Sequence, residues 1–278
     1  MRAFLAQLLA RPFAALGAAI ILIILLIAVF TPLLPLIDPN QSQLNQRLLP
    51  LGAEGHILGT DLLGRDNLSR LLWGTRLTLA VAIAAAACAA LIGSLIGLIA
   101  GYFGGWLDGL LMRSIDVVLA LPYLLLALAI VSTLGPGLMN ALIAIAVVNV
   151  PFFARTVRGA TLALSKRPFV LASRALGRSE LWILVRHVAP GVFPIIAIAS
   201  ATTVGWMILE TAGLSFLGLG AQAPQADLGS MLGESRTLML IKPHLGALPG
   251  LMIFVLVVGI NLFADGLRDL LDPRTKKE

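Results

Sequence analysis

Residues 77–100 read LTLAVAIAAAACAALIGSLIGLIA, an apolar run that no charged residue interrupts. A helix that crosses a bilayer needs about 20 predominantly apolar residues, so this run predicts a membrane span. Gly93, Gly97 and Gly101 follow one another at intervals of four residues. This spacing places three small residues on one face of a helix and predicts that a neighbouring helix approaches that face closely.

The rest of the chain repeats this apolar character. Hydrophobic types make up 59% and charged types 12% of the 278 residues, whereas soluble proteins hold about 45–50% apolar and about 25% charged residues. Pro122 lies inside the third apolar run and predicts a kink there. We therefore predict an all-α polytopic membrane protein with six transmembrane helices, over residues 13–35, 77–100, 114–134, 138–154, 191–212 and 246–267.

The distribution of Lys and Arg predicts the orientation. If the N-terminus is cytoplasmic, 14 of the 20 basic residues fall on the cytoplasmic side, as expected for loops that stay inside. Both termini and the 155–190 loop are then cytoplasmic, and the net charge of +6 reflects topology rather than nucleic-acid binding. The chain divides into residues 1–76 (N-terminal tail, first span and external segment), a five-helix core over 77–270, and a cytoplasmic tail over 271–278.

The external segment ends in the stretch GTDLLGRDNLSR, residues 59–70. Asp61 precedes Arg65 by four residues, and Asp66 precedes Arg70 by four. Acid-then-base pairs at this spacing stabilise a helix by a few tenths of a kcal/mol, so the stretch predicts a short helix.

The 155–190 loop contains signals for two short helices. Pro168 suits the first turn of a helix, and Gly177 suits the position just after its end. Ser179 is a good cap for a second helix, and Glu180 is favourable in its first turn. A loop of this length between membrane helices is rarely without a function.

One face of the first short helix is small and basic. Its small residues favour insertion into a partner's groove, and its arginines suit an acidic rim. The alternative is a basic helix that rests on anionic lipid. The candidate docking residues are Leu171, Ala172, Ser173, Arg174, Ala175, Gly177 and Arg178.

Ionisable and amide residues within spans indicate a second candidate site. Charges inside a bilayer are costly and usually face a cavity, a partner or water. Glu210, beside Met207 near the outer end of the fifth span, is a candidate for meeting a cationic group of a substrate, with Asn149 as a weaker candidate. Asp116 follows Arg113 by three residues, which predicts a local ion pair.

The sequence offers little for catalysis. A P-loop needs a glycine-rich turn followed by Gly-Lys-Ser/Thr, and none of the four lysines follows a glycine. The three histidines are far apart and Cys88 is the only cysteine, so no metal site is expected. We predict a protein that is not an enzyme and holds no cofactor of its own.

Several segments resemble one family. The stretch from Leu171 to Pro190, with Ala172, Gly177 and His187, resembles the EAA loop of ABC importer permeases, although Leu171 stands where that pattern has Glu. Residues 59–70, 214–224 and 261–273 are similar to segments of the C-type permeases of dipeptide, oligopeptide and nickel importers. The resemblance covers nearly the whole chain and keeps the family's motif order.

The resemblance implies a type I ABC importer permease fold and a role in ATP-driven peptide uptake. It implies a second permease subunit as a heterodimer partner, two ATP-binding subunits that carry ATP and Mg, an external binding protein, and a bacterial inner-membrane location. The 168–187 loop would couple to the ATPase. A permease for nickel or a small ligand such as glutathione is the alternative, and an ion-coupled secondary transporter is a more distant one.

Overall fold

The computed structural model of the chain describes residues 11–271, the last of them by its backbone alone. Residues 1–10 and 272–278, which hold most of the predicted tails, lie outside this range. Within it, the regular structure is helical. The α-helices are α1 (Pro12–Phe30), α2 (Asn67–Phe103), α3 (Gly105–Leu119), α4 (Tyr123–Leu134), α5 (Leu138–Ser165), α6 (Pro168–Ala175), α7 (Glu180–Ile183), α8 (Ala189–Phe216), α9 (Leu228–Ser235) and α10 (His244–Leu271).

Five helical stretches are long and apolar enough to cross a membrane. A sixth span results if the bent pair α3 and α4 counts as one. The five stretches are α1 with its short extension to Leu33, α2, α5, α10, and the continuous run Glu180–Phe216, in which a π-helical turn over Leu184–Val188 joins α7 to α8. The predicted all-α polytopic fold is therefore confirmed.

The third predicted span is wrong as a single kinked helix. Its two halves, α3 and α4, meet at an angle of 87°. Pro122 adopts an extended conformation (φ −55°, ψ 128°) at the start of α4, and its ring and missing N–H favour the end of a helix at this point. The break makes α3 a separate helix. This helix begins at Gly105, before the predicted start of the span at residue 114.

The glycine face of α2 packs against α5, as the sequence predicts. A Cβ atom on Gly93 would lie 2.6 Å from the carbonyl oxygen of Val150, and one on Gly97 would lie 2.5 Å from that of Ala154. These distances are shorter than van der Waals contact, so only glycine allows the two backbones to approach this closely. The 37-residue helix α2 and α5 form the centre of the bundle.

The predicted helix over residues 59–70 is wrong in its first half. Gly59 and Gly64 have positive φ angles of 67° and 73°, which a right-handed helix does not contain. The helix begins only at Asn67, after Asp66 caps it by accepting a hydrogen bond from the backbone N–H of Ser69 at 2.8 Å. We call residues 43–66 the elbow.

Two charged residues have partners other than those that the sequence predicts. Asp66 accepts a hydrogen bond from His56 at 2.9 Å, within the elbow, and does not pair with Arg70. Asp116 accepts a hydrogen bond from Arg155 at 2.6 Å instead of pairing with Arg113. The second difference arises because α3 lies beside α5, and tertiary packing therefore overrides spacing along one helix.

The bundle has two polar ends. We call the end that carries α6 and α7 the loop end, and the end that carries the elbow and α9 the elbow end. The helix α2 reaches from one to the other, because its first turns contact α9 and its last turn contacts α7.

Candidate functional site

The loop end contains the two short helices that the sequence predicts. Pro168 occupies the first turn of α6, and the side chain of Ser179 caps α7 by accepting a hydrogen bond from the N–H of Trp182. Gly177 between them has a φ of 76°, and a Cβ atom there would meet nothing within 4 Å. The left-handed conformation, rather than crowding, therefore makes glycine favourable at this position.

The loop is anchored by apolar side chains on its inner face. Val170 of α6 and Ile183 of α7 are fully buried, and they pack with Val157 of α5 and Tyr102 of α2 in one apolar cluster. Burial of such side chains contributes roughly 1.5–3 kcal/mol each. The two short helices are therefore fixed to the bundle and are not free segments.

The outer face of the loop exposes apolar and small residues. Leu171 is 51% exposed and Leu176 is 82% exposed, and Ala172 and Ala175 are also exposed. Ser173 is half-buried, and its hydroxyl donates to the backbone oxygen of Phe169. The exposed surface therefore combines apolar leucines with small alanines.

The arginines of the loop have intramolecular partners. Arg174 donates two hydrogen bonds to Glu180, of 2.8 and 2.9 Å, one to each carboxylate oxygen. Hydrogen bonding to Glu180 raises the pKa of the Arg174 guanidinium above its ordinary value. Arg178 lies over the ring of Trp182, 4.9 Å from its centroid. Both side chains are thus held in place while they remain accessible.

Sequence reasoning missed two members of this arrangement. The hydroxyl of Tyr102, at the end of α2, donates a short hydrogen bond to Glu180. Glu180 is six residues from Arg174, and the two side chains meet because the chain turns at Gly177 between the two helices. The Tyr102 contact spans 78 residues, and no local pattern signals it.

The second candidate site lies between α4, α5 and α8. The amide of Asn149 donates a hydrogen bond of 2.7 Å to the carboxylate of Glu210 and one of 2.9 Å to the backbone oxygen of Ile145. Met207 is fully buried within the apolar core. The structure thus joins Asn149 to Glu210 directly.

A small cavity borders this pair. Its walls come from α4, α5 and α8, and the surface that lines it is apolar, although Glu210 is among the lining residues. Sequence reasoning missed the α4 residues, because they reach this position only through the break at Pro122. The lining residues are Tyr123, Leu124, Ala127, Ile145, Val148, Glu210 and Leu214.

The elbow end holds a group of charges, which we call the arginine cluster: Asp61, Arg65 and Arg70, which are buried, and Glu234, which is exposed. Arg65 pairs with Asp61 at 2.5 Å and with Glu234 at 2.6 Å. Arg70 lies 3.5 Å from Asp61 and 3.2 Å from Glu234. Since both arginine side chains are 3% exposed or less, this cluster ties the elbow, α2 and α9 together.

A second contact reinforces the attachment of α9. Thr78 of α2 donates a hydrogen bond of 2.8 Å to Asp227, whose other oxygen accepts from the N–H of Ser230 and caps α9. Gly229 lies so close to α8 that a Cβ atom would be 2.3 Å from the carbonyl oxygen of Ala212. The elbow end is therefore packed as tightly as the interior of the bundle.

Metal ligation finds no support in residues 11–271, where no three His, Cys, Asp or Glu side chains gather around a common point.

Comparison with known proteins gives two family matches. Residues 93–277 match the family described as binding-protein-dependent transport system inner membrane component. Residues 1–50 match the N-terminal transmembrane domain of oligopeptide transport permease C.

Individual relatives agree with these matches. The glutathione transport system permease protein GsiD of Shigella flexneri serotype 5b is 48% identical over 221 residues, which cover 80% of this chain and 73% of the relative. GsiD of Escherichia coli O157:H7 is 45% identical with the same coverage. GsiD of Pectobacterium atrosepticum is 41% identical over 224 residues, covering 81% of this chain and 74% of the relative.

Among solved structures, the chain is similar in fold to one in the inward-facing MetNI methionine ABC transporter. The TM-score is 0.60 at 20% identity, and the match covers 72% of this chain and 96% of the other.

Proposed function

Since this chain belongs to the family of binding-protein-dependent transport system inner membrane components and is a permease subunit of an ABC importer, we propose that it forms half of a translocation pathway for di- or oligopeptides. The observation that carries the substrate class is the similarity to glutathione permeases over four fifths of the chain, because glutathione is itself a small peptide. The match to an oligopeptide permease domain at the N-terminus supports the same class.

The assembly that we propose contains a second permease, two ATP-binding subunits that hold ATP and Mg, and an external binding protein. This chain would hydrolyse no ATP itself. The excess of Lys and Arg in the loop end and the tails supports cytoplasmic termini in the inner membrane. The elbow and α9 would then lie on the external side of the membrane.

The ATP-binding subunit would dock on the outer face of α6. That face exposes Leu171, Ala172 and Ala175, while Val170 anchors the helix from beneath. A rigid helix with low bulk fits a groove. With Leu171 at a position where the family pattern has Glu, the fit would rest on shape, with the exposed Arg178 offering a basic group.

A pair of tryptophan substitutions tests the docking surface. Ala172→Trp adds bulk to the outer face of α6, and Ala163→Trp adds the same bulk to an exposed position of α5 outside the 168–187 docking segment. We expect Ala172→Trp to abolish both co-purification with the ATP-binding subunit and ATP-driven uptake, while Ala163→Trp retains both. Normal co-purification and uptake with Ala172→Trp would refute the docking surface.

The pathway would run past Glu210 and Asn149, with Glu210 meeting the amino group of the peptide, whereas the fully buried Met207 would support it from the core. Glu210 lines a cavity, and its carboxylate accepts a hydrogen bond from the side chain of Asn149. An intramembrane carboxylate in this setting favours a role in recognition over one in packing.

Removing single carboxylate charges tests this role. We expect Glu210→Gln to raise the peptide concentration that gives half-maximal uptake, while Glu54→Gln, at an exposed position of the elbow, leaves it unchanged. Uptake by Glu210→Gln that matches the unmodified transporter at every concentration would remove Glu210 from the pathway.

The alternative substrates are nickel and other small ligands, including glutathione alone. Identifying the ligand of the binding protein that co-purifies with this chain separates them. Family membership argues against an ion-coupled secondary transporter, and uptake driven by a proton gradient without the ATP-binding subunit would revive it.

A further inference from the structure

Three side chains at the loop end form a closed set of contacts, which we call the Tyr102 clasp: Tyr102, Arg174 and Glu180. Glu180 of α7 accepts from Arg174 of α6 through both carboxylate oxygens and from the hydroxyl of Tyr102 of α2. The Arg174 guanidinium also lies over the Tyr102 ring, 5.9 Å from its centroid. Each member therefore contacts the other two.

The clasp joins the docking loop to a helix that is fixed at its other end. From Arg70 to Tyr102, α2 continues without a break, a distance of about 50 Å at the usual helical rise per residue. At the elbow end, Arg70 is held by Glu234 and Thr78 is held by Asp227. A displacement of α6 and α7 that pulls on Tyr102 therefore reaches α9 along one rigid element.

We propose that Tyr102 and Glu180 are positioning residues for coupling, which transmit movement of the docked loop through α2 to the elbow end. This inference rests on the proposed function, because the movement originates in the ATP-binding subunit. Neither residue touches ATP or peptide in this scheme. Without the clasp, the ATP-binding subunit would still dock and hydrolyse ATP, but the elbow end would no longer respond.

Two nearly isosteric substitutions open the clasp with little effect on packing. Tyr102→Phe removes only the hydroxyl and retains the ring within its apolar cluster. Glu180→Gln keeps the shape of the side chain but leaves only one oxygen that can accept hydrogen bonds, whereas both carboxylate oxygens accept them in the unmodified protein. Glu54→Gln in the elbow is the control for loss of a carboxylate charge.

Hydrogen–deuterium exchange of the complete transporter measures transmission without a transported substrate. The complex of this chain with its partner permease and ATP-binding subunits is compared with and without a non-hydrolysable ATP analogue and Mg. In the unmodified complex and in Glu54→Gln, we expect the analogue to change exchange at both α6 and α9. In Tyr102→Phe and Glu180→Gln, we expect the change at α6 to persist and the change at α9 to be lost.

The double variant tests whether Tyr102 and Glu180 act together. If the two residues act as one unit, Tyr102→Phe with Glu180→Gln has no greater effect than either alone. An unchanged response of α9 in the single variants, or no response of α9 in the unmodified complex, overturns the clasp. Failure of the ATP-binding subunit to co-purify with the unmodified chain refutes the docking proposal instead, and the clasp with it.

Discussion

The contact between α2 and α5 leaves no room for a side chain at Gly97. A Cβ atom there would lie 2.5 Å from the carbonyl oxygen of Ala154 and 2.9 Å from the backbone nitrogen of Arg158. Backbone atoms of α5 yield only if the helix shifts, so we expect Gly97→Ala to cost about 1–3 kcal/mol of stability through overpacking. Alanine is also about 1 kcal/mol better than glycine inside a helix, which partly hides this cost.

A second glycine separates the two effects. Gly159 lies within α5, and a Cβ atom there would meet nothing within 4 Å. Gly159→Ala therefore gains helix propensity without a clash, and the difference between the two variants isolates the contact.

Thermal unfolding of the two purified variants in one detergent, at one scan rate, measures this difference. For proteins of about 150–250 residues, 1 kcal/mol shifts the melting temperature by about 2–4 °C. We expect Gly97→Ala to melt about 2–12 °C below Gly159→Ala. Equal melting temperatures would refute the close approach of α2 and α5.

Two further substitutions test the ends of the bundle. Asp61→Asn removes the carboxylate that lies 2.5 Å from the buried Arg65 and should lower the stability of the protein by about 3–5 kcal/mol. We expect a fall in melting temperature that Glu54→Gln does not share. A fall no larger than that of Glu54→Gln would contradict the role of the cluster. Gly177→Ala forces a residue with a Cβ to a φ of 76°, at a cost of about 1–2 kcal/mol. This cost raises the open population of the loop about 5–30-fold and speeds tryptic cleavage beside it. Asparagine tolerates this conformation, so Gly177→Asn should be cleaved more slowly than Gly177→Ala, and equal rates would show that the turn is not strained.

The membrane spans are predictable from sequence because they depend on composition over about 20 residues. The glycine spacing from Gly93 to Gly101 also predicts the close helix contact, since it concerns one face of one helix. The bend at Pro122 is harder to predict from sequence, because a proline inside a helix permits either a kink or a break. Packing of α3 against α5, through Asp116 and Arg155, favours the break.

The candidate sites also contain features that local sequence signals predict and features that they do not. The two loop helices follow from local signals at Pro168, Gly177 and Ser179. The partners of the loop and elbow charges do not, because Tyr102 and Glu180 are separated by 78 positions, and Arg65 and Glu234 by 169. Long-range pairs carry no periodic signal in a single sequence, and the acid-then-base spacing of Asp66 and Arg70 indicates a partner that the fold does not use.

The arginine cluster also sets an order of events in biosynthesis. Glu234 is synthesised 169 residues after Arg65 and 164 after Arg70. At about 5–20 residues per second, this delay is about 10–30 s. During that interval only Asp61 is available to the two arginines from within the cluster. The elbow is therefore completed late, when α9 emerges, and a ribosome that stalls before Glu234 leaves two arginines short of a carboxylate.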